Sequence, residues 1–141
     1  MITVQRLTLA DALIMIEASE KKAAEMGVPM DIAVCDDGGN LVAFHRMDGG
    51  KITSIAIAID KAFTAAAARR ATHDYSEMAA PGKAAFGIHT SNQGRFSIIG
   101  GGLPVTVSDQ VVGGIGASSG TAAQDRIVAQ AGLDAFLGSL R

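Results

Sequence analysis

Met30-Asp31-Ile32-Ala33-Val34-Cys35-Asp36-Asp37-Gly38-Gly39-Asn40-Leu41-Val42-Ala43-Phe44-His45-Arg46-Met47 is the stretch on which the fold turns. Met30 to Asp36 is a short apolar run and reads as a buried strand. Asp37-Gly38-Gly39-Asn40 is a tight-turn signal. Leu41 to Met47 reads as a second strand, so the two form an antiparallel hairpin. Side chains alternate along a strand, which puts His45 and Met47 on one face and Phe44 and Arg46 on the other. Asp48-Gly49-Gly50 closes the unit.

Helices flank this hairpin. Before it, Thr8 or Asp11 can cap a helix reaching about Met26, with Leu9, Leu13, Ile16 and Ala23 as its apolar stripe and Gly27 and Pro29 as its stop. After it, Thr53 or Ser54 can cap a helix reaching about Arg70. Ile55, Ile59, Ala62, Phe63 and Ala66 form its stripe, and Arg69 and Arg70 suit the negative end of its dipole. Residues 71–95 are less regular, with a helical turn around Tyr75–Ala80, and could form a lid. Three strands are expected next: Ser97–Ile99, Leu103–Val107 and Val111–Ala117. Gly116-Ala117-Ser118-Ser119-Gly120 then feeds a last helix from about Thr121 to Leu137. The order α-ββ-α-(α)-βββ-α predicts an α+β fold, a five-stranded antiparallel sheet flanked by helices.

Composition narrows the function. A length of 141 residues suits one domain, 1–141. Twelve basic and fourteen acidic residues give a net charge of −2, without the basic footprint of nucleic-acid binding. Aromatic residues make up 4% and Trp is absent, so a base-stacking platform is not expected. No apolar run of about 18 residues appears, which predicts no membrane span. The N-terminus does not read as a signal peptide, so a cytoplasmic location is expected. Cys35 is the only cysteine, and its apolar surroundings favour a core role over a nucleophile.

Several residues are candidates for chemistry. The glycine-rich stretch 113–120 precedes a helix and could bind an anion, but it lacks the Walker lysine and the G-x-G-x-x-G spacing. Of His45, His73 and His89, none forms a short metal motif; His45 is the best metal-binding candidate because it lies where a strand leaves the sheet. Asp48 beside Arg46 reads equally as an ion pair or as a ligand-facing pair. Lys61 and Thr64, three apart, share a helix face among alanines. Lys61 either reaches water or offers a charge to a pocket. No Ser-His-Asp set or G-x-S-x-G elbow is present.

Three blocks together resemble the GlcG/HbpS family, which also supplies the C-terminal domain of PduO-type proteins. The first is Val34-Cys35-Asp36-Asp37-Gly38-Gly39-Asn40 through Phe44-His45-Arg46-Met47-Asp48-Gly49. The second is Ser54-Ile55-Ala56-Ile57-Ala58 with Lys61-Ala62-Phe63-Thr64-Ala65. The third is Gly100-Gly101-Gly102-Leu103-Pro104-Val105, then Gly113-Gly114-Ile115-Gly116-Ala117-Ser118, then Gln124-Asp125 and Ala131-Gly132. The similarity spans about residues 8–137. It implies a profilin-like fold, a homo-oligomer and, for some members, haem binding or degradation. It implies a role for Thr64 at the haem and a ligand pocket built from Arg46, Asp48, Lys61, Thr64, Gly101 and Gly102, with His45 as an alternative iron ligand. The expected function is therefore non-covalent haem or tetrapyrrole binding. The alternative is an enzyme or accessory protein acting on a small carboxylate, hydroxy acid or carbonyl compound, with Arg46 or Lys61 clamping the anion and Asp48 or His45 moving protons.

Overall fold

The computed structural model describes residues 1–140. The elements run α1 (Leu9–Met26), β1 (Asp31–Asp36), β2 (Leu41–Arg46), α2 (Thr53–Ala68), α3 (Thr72–Met78), two 3₁₀ turns (Ile88–Thr90 and Asn92–Gly94), β3 (Gly102–Val107), β4 (Gln110–Ser118) and α4 (Ala122–Ser139). The strands form one antiparallel sheet in the order β2-β1-β4-β3. Helices α1 and α4 pack together on one face, and α2 covers β1, β4 and β3 on the other. None of the described helices is long and apolar enough to cross a membrane.

The hairpin forms as its sequence predicts, with Ala33 opposite Phe44 and Asp31 opposite Arg46. Its turn is held by Asp36, whose Oδ1 accepts from the N–H groups of Gly38 at 2.9 Å and Asn40 at 3.0 Å. Asp37, read as the turn former, pairs instead with Arg6 at 2.6 Å. β1 is buried along its whole length because helices cover both its faces. Ile32 and Val34 join the larger core with Met15, Ile16, Ile115 and Val128, whereas Ala33 and Cys35 face Ala58 and Ala62 of α2.

Both α1 and α4 begin with a capping box: Thr8 with Asp11, and Thr121 with Gln124. Helix α2 departs from the expectation. Its N-cap is Ile52, with no side-chain cap, since Thr53 already lies in the helix and the Ser54 hydroxyl accepts from Ser118 at 3.1 Å. It ends at Ala68, and Arg69 sits beyond it in the left-handed region at φ 57°.

The described sheet has four strands rather than the five expected. Ser97–Ile99 is not a strand because side chains take its backbone groups. The Ser97 N–H donates to Thr64 Oγ1 at 2.9 Å, and the Ile98 carbonyl accepts from Ser76 Oγ at 2.7 Å. A segment whose polar backbone is satisfied this way has no need of a ladder. The helical turn expected at Tyr75–Ala80 starts earlier, as α3 at Thr72.

The glycine-rich stretch 113–120 is not a phosphate loop. Most of it is β4, and its glycines admit α2. A Cβ on Gly116 would run into the Ala58 carbonyl and the Ala62 amide; one on Gly114 would run into the Ala62 carbonyl and the Ala66 amide. The alanines of α2 and the glycines of β4 therefore let helix backbone rest directly on the sheet.

Candidate functional site

The residues singled out in the sequence fall into three places around β2 and α2. The first is the underside of α2. Lys61 is 1% exposed; its Nζ donates to Asp125 Oδ2 at 2.8 Å and to the Ala117 carbonyl at 3.0 Å. The other Asp125 oxygen accepts from the Gly120 N–H at 2.9 Å. Burial pushes the Lys61 ammonium below its ordinary range, and Asp125 pulls it part of the way back. Lys61 thus neither reaches water nor offers its charge to a pocket; a buried ion pair takes it. Gly101, at φ 124°, is held where a Cβ would strike the Lys61 amine, the Asp125 side chain and the Ala117 carbonyl. Gly102 fits beneath the Lys61 carbonyl and against Thr72. The space beside both glycines is filled by protein.

Thr64 also lies on this side and is 1% exposed. Its hydroxyl donates to the Arg95 carbonyl at 3.2 Å and accepts from the Ser97 amide. Arg95 pairs with Asp60 at 3.3 Å and lies 3.9 Å over the Phe63 ring. A cavity of about 110 Å³ opens here, lined by Phe63, Thr64, Ala67, Ala68, Asn92 and Phe96. It is far smaller than a drug-sized ligand pocket of roughly 300–1,000 Å³. Cys35 is buried nearby, and burial pushes its thiol up to about 12, which leaves it inert near neutral pH.

The second place is the opposite face of β2. His45 points toward α1, where its Nδ1 lies 2.5 Å from Glu20 Oε1. An ionised carboxylate can only accept, so Nδ1 is the donor, and in the neutral tautomer that fits this contact the lone pair lies on Nε2. The ring is half-exposed. A carboxylate-held imidazole of this kind is the usual form of a metal-ligating histidine. The other histidines differ: His73 Nε2 is 3.4 Å from Asp74, its Nδ1 is buried without a partner, and His89 Nδ1 is likewise buried and unpartnered. Among the described residues, no group of three or more His, Cys, Asp or Glu side chains could hold a bare metal ion.

The third place is the end of the sheet beneath the start of α2. Arg46 of β2, Asp31 of β1 and Ser118 of β4 are aligned across the strands there. Asp48 is exposed in the turn above and forms no ion pair with Arg46. Asp31 is 0% exposed, and neither carboxylate oxygen has a hydrogen-bond partner. Burial pushes its carboxyl up; the Arg46 charge and the nearby Ser119 hydroxyl offset part of that. Sequence reading passed over Asp31 and Asp125. Asp31 looks like the start of an apolar strand, and Asp125 like an ordinary acidic residue in a first helical turn.

The expected pocket residues therefore do not surround one space. His45 and Arg46 leave the same strand on opposite faces, and Lys61 and Thr64 are enclosed.

A family model described as haem degrading protein HbpS-like matches residues 7–134. The chain is 43% identical over 130 residues to an uncharacterized 15.0 kDa protein in the dhaT-dhaS intergenic region of Citrobacter freundii, covering 92% of each. The solved structure of Klebsiella pneumoniae protein ORFY superposes with a TM-score of 0.96 at 40% identity, covering 100% of this chain and 97% of that one. The structure of a PduOC–haem complex superposes with a TM-score of 0.88 at 31% identity, covering 92% of this chain and 94% of that one.

Proposed function

The chain belongs to the HbpS-like family, and on that footing we propose that it is a small-ligand-binding protein that takes haem or a related tetrapyrrole non-covalently. The observation that carries this reading is the likeness to PduOC, a protein solved as a haem complex. No C-x-x-C-H attachment site is present, so the group would be held by coordination and packing.

His45 fits the group. Glu20 holds Nδ1 and fixes the partly exposed ring, so Nε2 is the nitrogen that would serve iron. Thr64 does not fit: its hydroxyl is enclosed and already bonded on both sides, beside a cavity of only about 110 Å³. When bound, haem would supply a redox-active iron at this surface. The chain's own contribution is to orient the imidazole through Glu20. Assembly with further copies of the chain is part of the proposal.

A visible absorption titration with haemin, run beside size exclusion, tests the reading. A saturable, shifted Soret band is expected, weakened at least tenfold or displaced by His45→Ala (about 1.4 kcal/mol for a tenfold change) and unchanged by Thr64→Val. A featureless, non-saturating response of the unaltered protein would overturn it.

A further inference from the structure

Under the turn at residues 47–52, a face that is otherwise apolar ends in a polar row. Arg46, Asp31 and Ser118 sit side by side on β2, β1 and β4. Alternation along β1 and β2 points Asp31 and Arg46 to the face that α2 covers. One buried group here calls for a ligand, and two solvent-exposed sets of donors lie beside it. The Asp31 carboxyl is completely buried and neither oxygen is bonded, although buried polar groups are ordinarily paired. The start of α2 has no side-chain cap, and the N–H groups of Ile52 and Thr53 have no acceptor among the described residues. The exposed Arg46 guanidinium forms no ion pair among the described residues, though its charge acts on Asp31.

The cover is thin. Gly50 rests directly on Asp31 Oδ1, leaving no room for a side chain there. Met47 is anchored to Met30, by its own N–H at 3.0 Å and through its sulfur. Beyond it the turn is tied to the sheet only where the Lys51 N–H donates to Ser119 Oγ at 3.0 Å. Gly49, at φ 90°, and Gly50 give the turn freedom to lift.

We propose that this end of the sheet is a binding site for a small monocarboxylate that carries a hydroxyl or carbonyl oxygen beside its carboxylate. The ligand's carboxylate takes the Arg46 guanidinium and the free N–H groups at the start of α2, where the helix dipole favours an anion. Its second oxygen meets the Asp31 carboxyl, the one buried polar group here that lacks a partner: a ligand hydroxyl donates to it, and the protonated carboxyl donates to a ligand carbonyl. One cationic side chain and one helix terminus suit a single carboxylate. One buried carboxyl suits a single neutral oxygen. The site lies on the face of β2 opposite His45, so it stands or falls independently of haem.

Backbone amide NMR of the intact chain, with sodium lactate, pyruvate and acetate as probes, tests the proposal. Lactate or pyruvate should saturate and shift the amides of residues 31, 46, 50–54 and 118–119, with acetate binding at least tenfold more weakly. Arg46→Ala should weaken lactate binding tenfold or more. Asp31→Leu should reduce lactate to the acetate level, and Asp31→Asn, which keeps a hydrogen-bonding group, should preserve the preference. Absence of shifts at these amides at millimolar acid, shifts confined to other residues, or equal binding of all three acids by the unaltered protein would each overturn it. The haemin titration reads the other face, so the two failures are distinguishable.

Discussion

Two carboxylates lie under α2, both buried, and they have opposite surroundings. Asp125 is met by the Lys61 amine at 2.8 Å and by the Gly120 amide at 2.9 Å. Asp31 has no well-formed hydrogen bond to either oxygen, with only the Ser119 hydroxyl and the Arg46 charge near it. The first arrangement ties α2 to β4 and α4 and is complete in itself. The second leaves a desolvated acid at the end of the sheet, a cost a fold retains when something else uses the group. Completeness, rather than charge or burial, separates the structural pair from the candidate binding group.

The largest test of this contrast is Asp125→Ala. It strands the Lys61 ammonium in the core, and a loss of about 3–5 kcal/mol is expected. Chemical denaturation measures it. The paired replacement Lys61→Met with Asp125→Leu should recover most of that loss, because it removes both charges together. A mild effect of Asp125→Ala would mean that the pair is hydrated in solution.

Next in size is Gly116→Ala. The added methyl would press on the Ala58 carbonyl and the Ala62 amide, and overpacking of this kind costs about 1–3 kcal/mol. A neutral outcome, read by thermal unfolding, would show that α2 can lift from the sheet.

Asp31→Asn should act in the other direction and stabilise the protein near pH 7 by on the order of 1 kcal/mol. The sign follows from the raised folded-state value. Wild-type Asp31 is neutral in both folded and unfolded chains well below its ordinary 3.8, so it carries no penalty there. As pH rises from 3.8 through the folded-state value, the unfolded chain gives up its proton first and the wild type loses stability. The advantage of the Asn variant should therefore shrink on acidification, as unfolding midpoints across pH would show. A pH-independent difference would remove the ionisation argument.

The smallest effect on stability is expected from His45→Ala, within about 1 kcal/mol, because its partner Glu20 is partly exposed. Its consequence should lie in the haemin spectrum instead. A large loss of stability would recast the His45–Glu20 pair as a structural clamp.

Local signals carried much of the fold. The hairpin turn, the two capping boxes and the strand alternation at Phe44-His45-Arg46-Met47 are short-range in cause, because each depends on residues a few positions apart. The same alternation separates His45 from Arg46 without any tertiary contact. The Ser97–Ile99 assignment failed for a long-range reason: Thr64 and Ser76, 33 and 22 residues away in sequence, take its backbone groups. The pocket around Lys61, Thr64, Gly101 and Gly102 comes from resemblance; in this chain protein atoms fill the space beside Lys61 and the two glycines, and Thr64 borders only a small cavity.

By itself, the sequence determined the α+β class, the hairpin and the ends of α1 and α4, because caps, turns and side-chain periodicity act within a few residues. It also carried the family resemblance, since that lies in the order of its blocks. Only the tertiary structure decided that Lys61 meets Asp125 across 64 positions, that four strands pair rather than five, and that Asp31 is left without a partner. Whether a buried charge finds its counterion depends on which distant segments the packed core brings within 3 Å, and no local pattern encodes that distance.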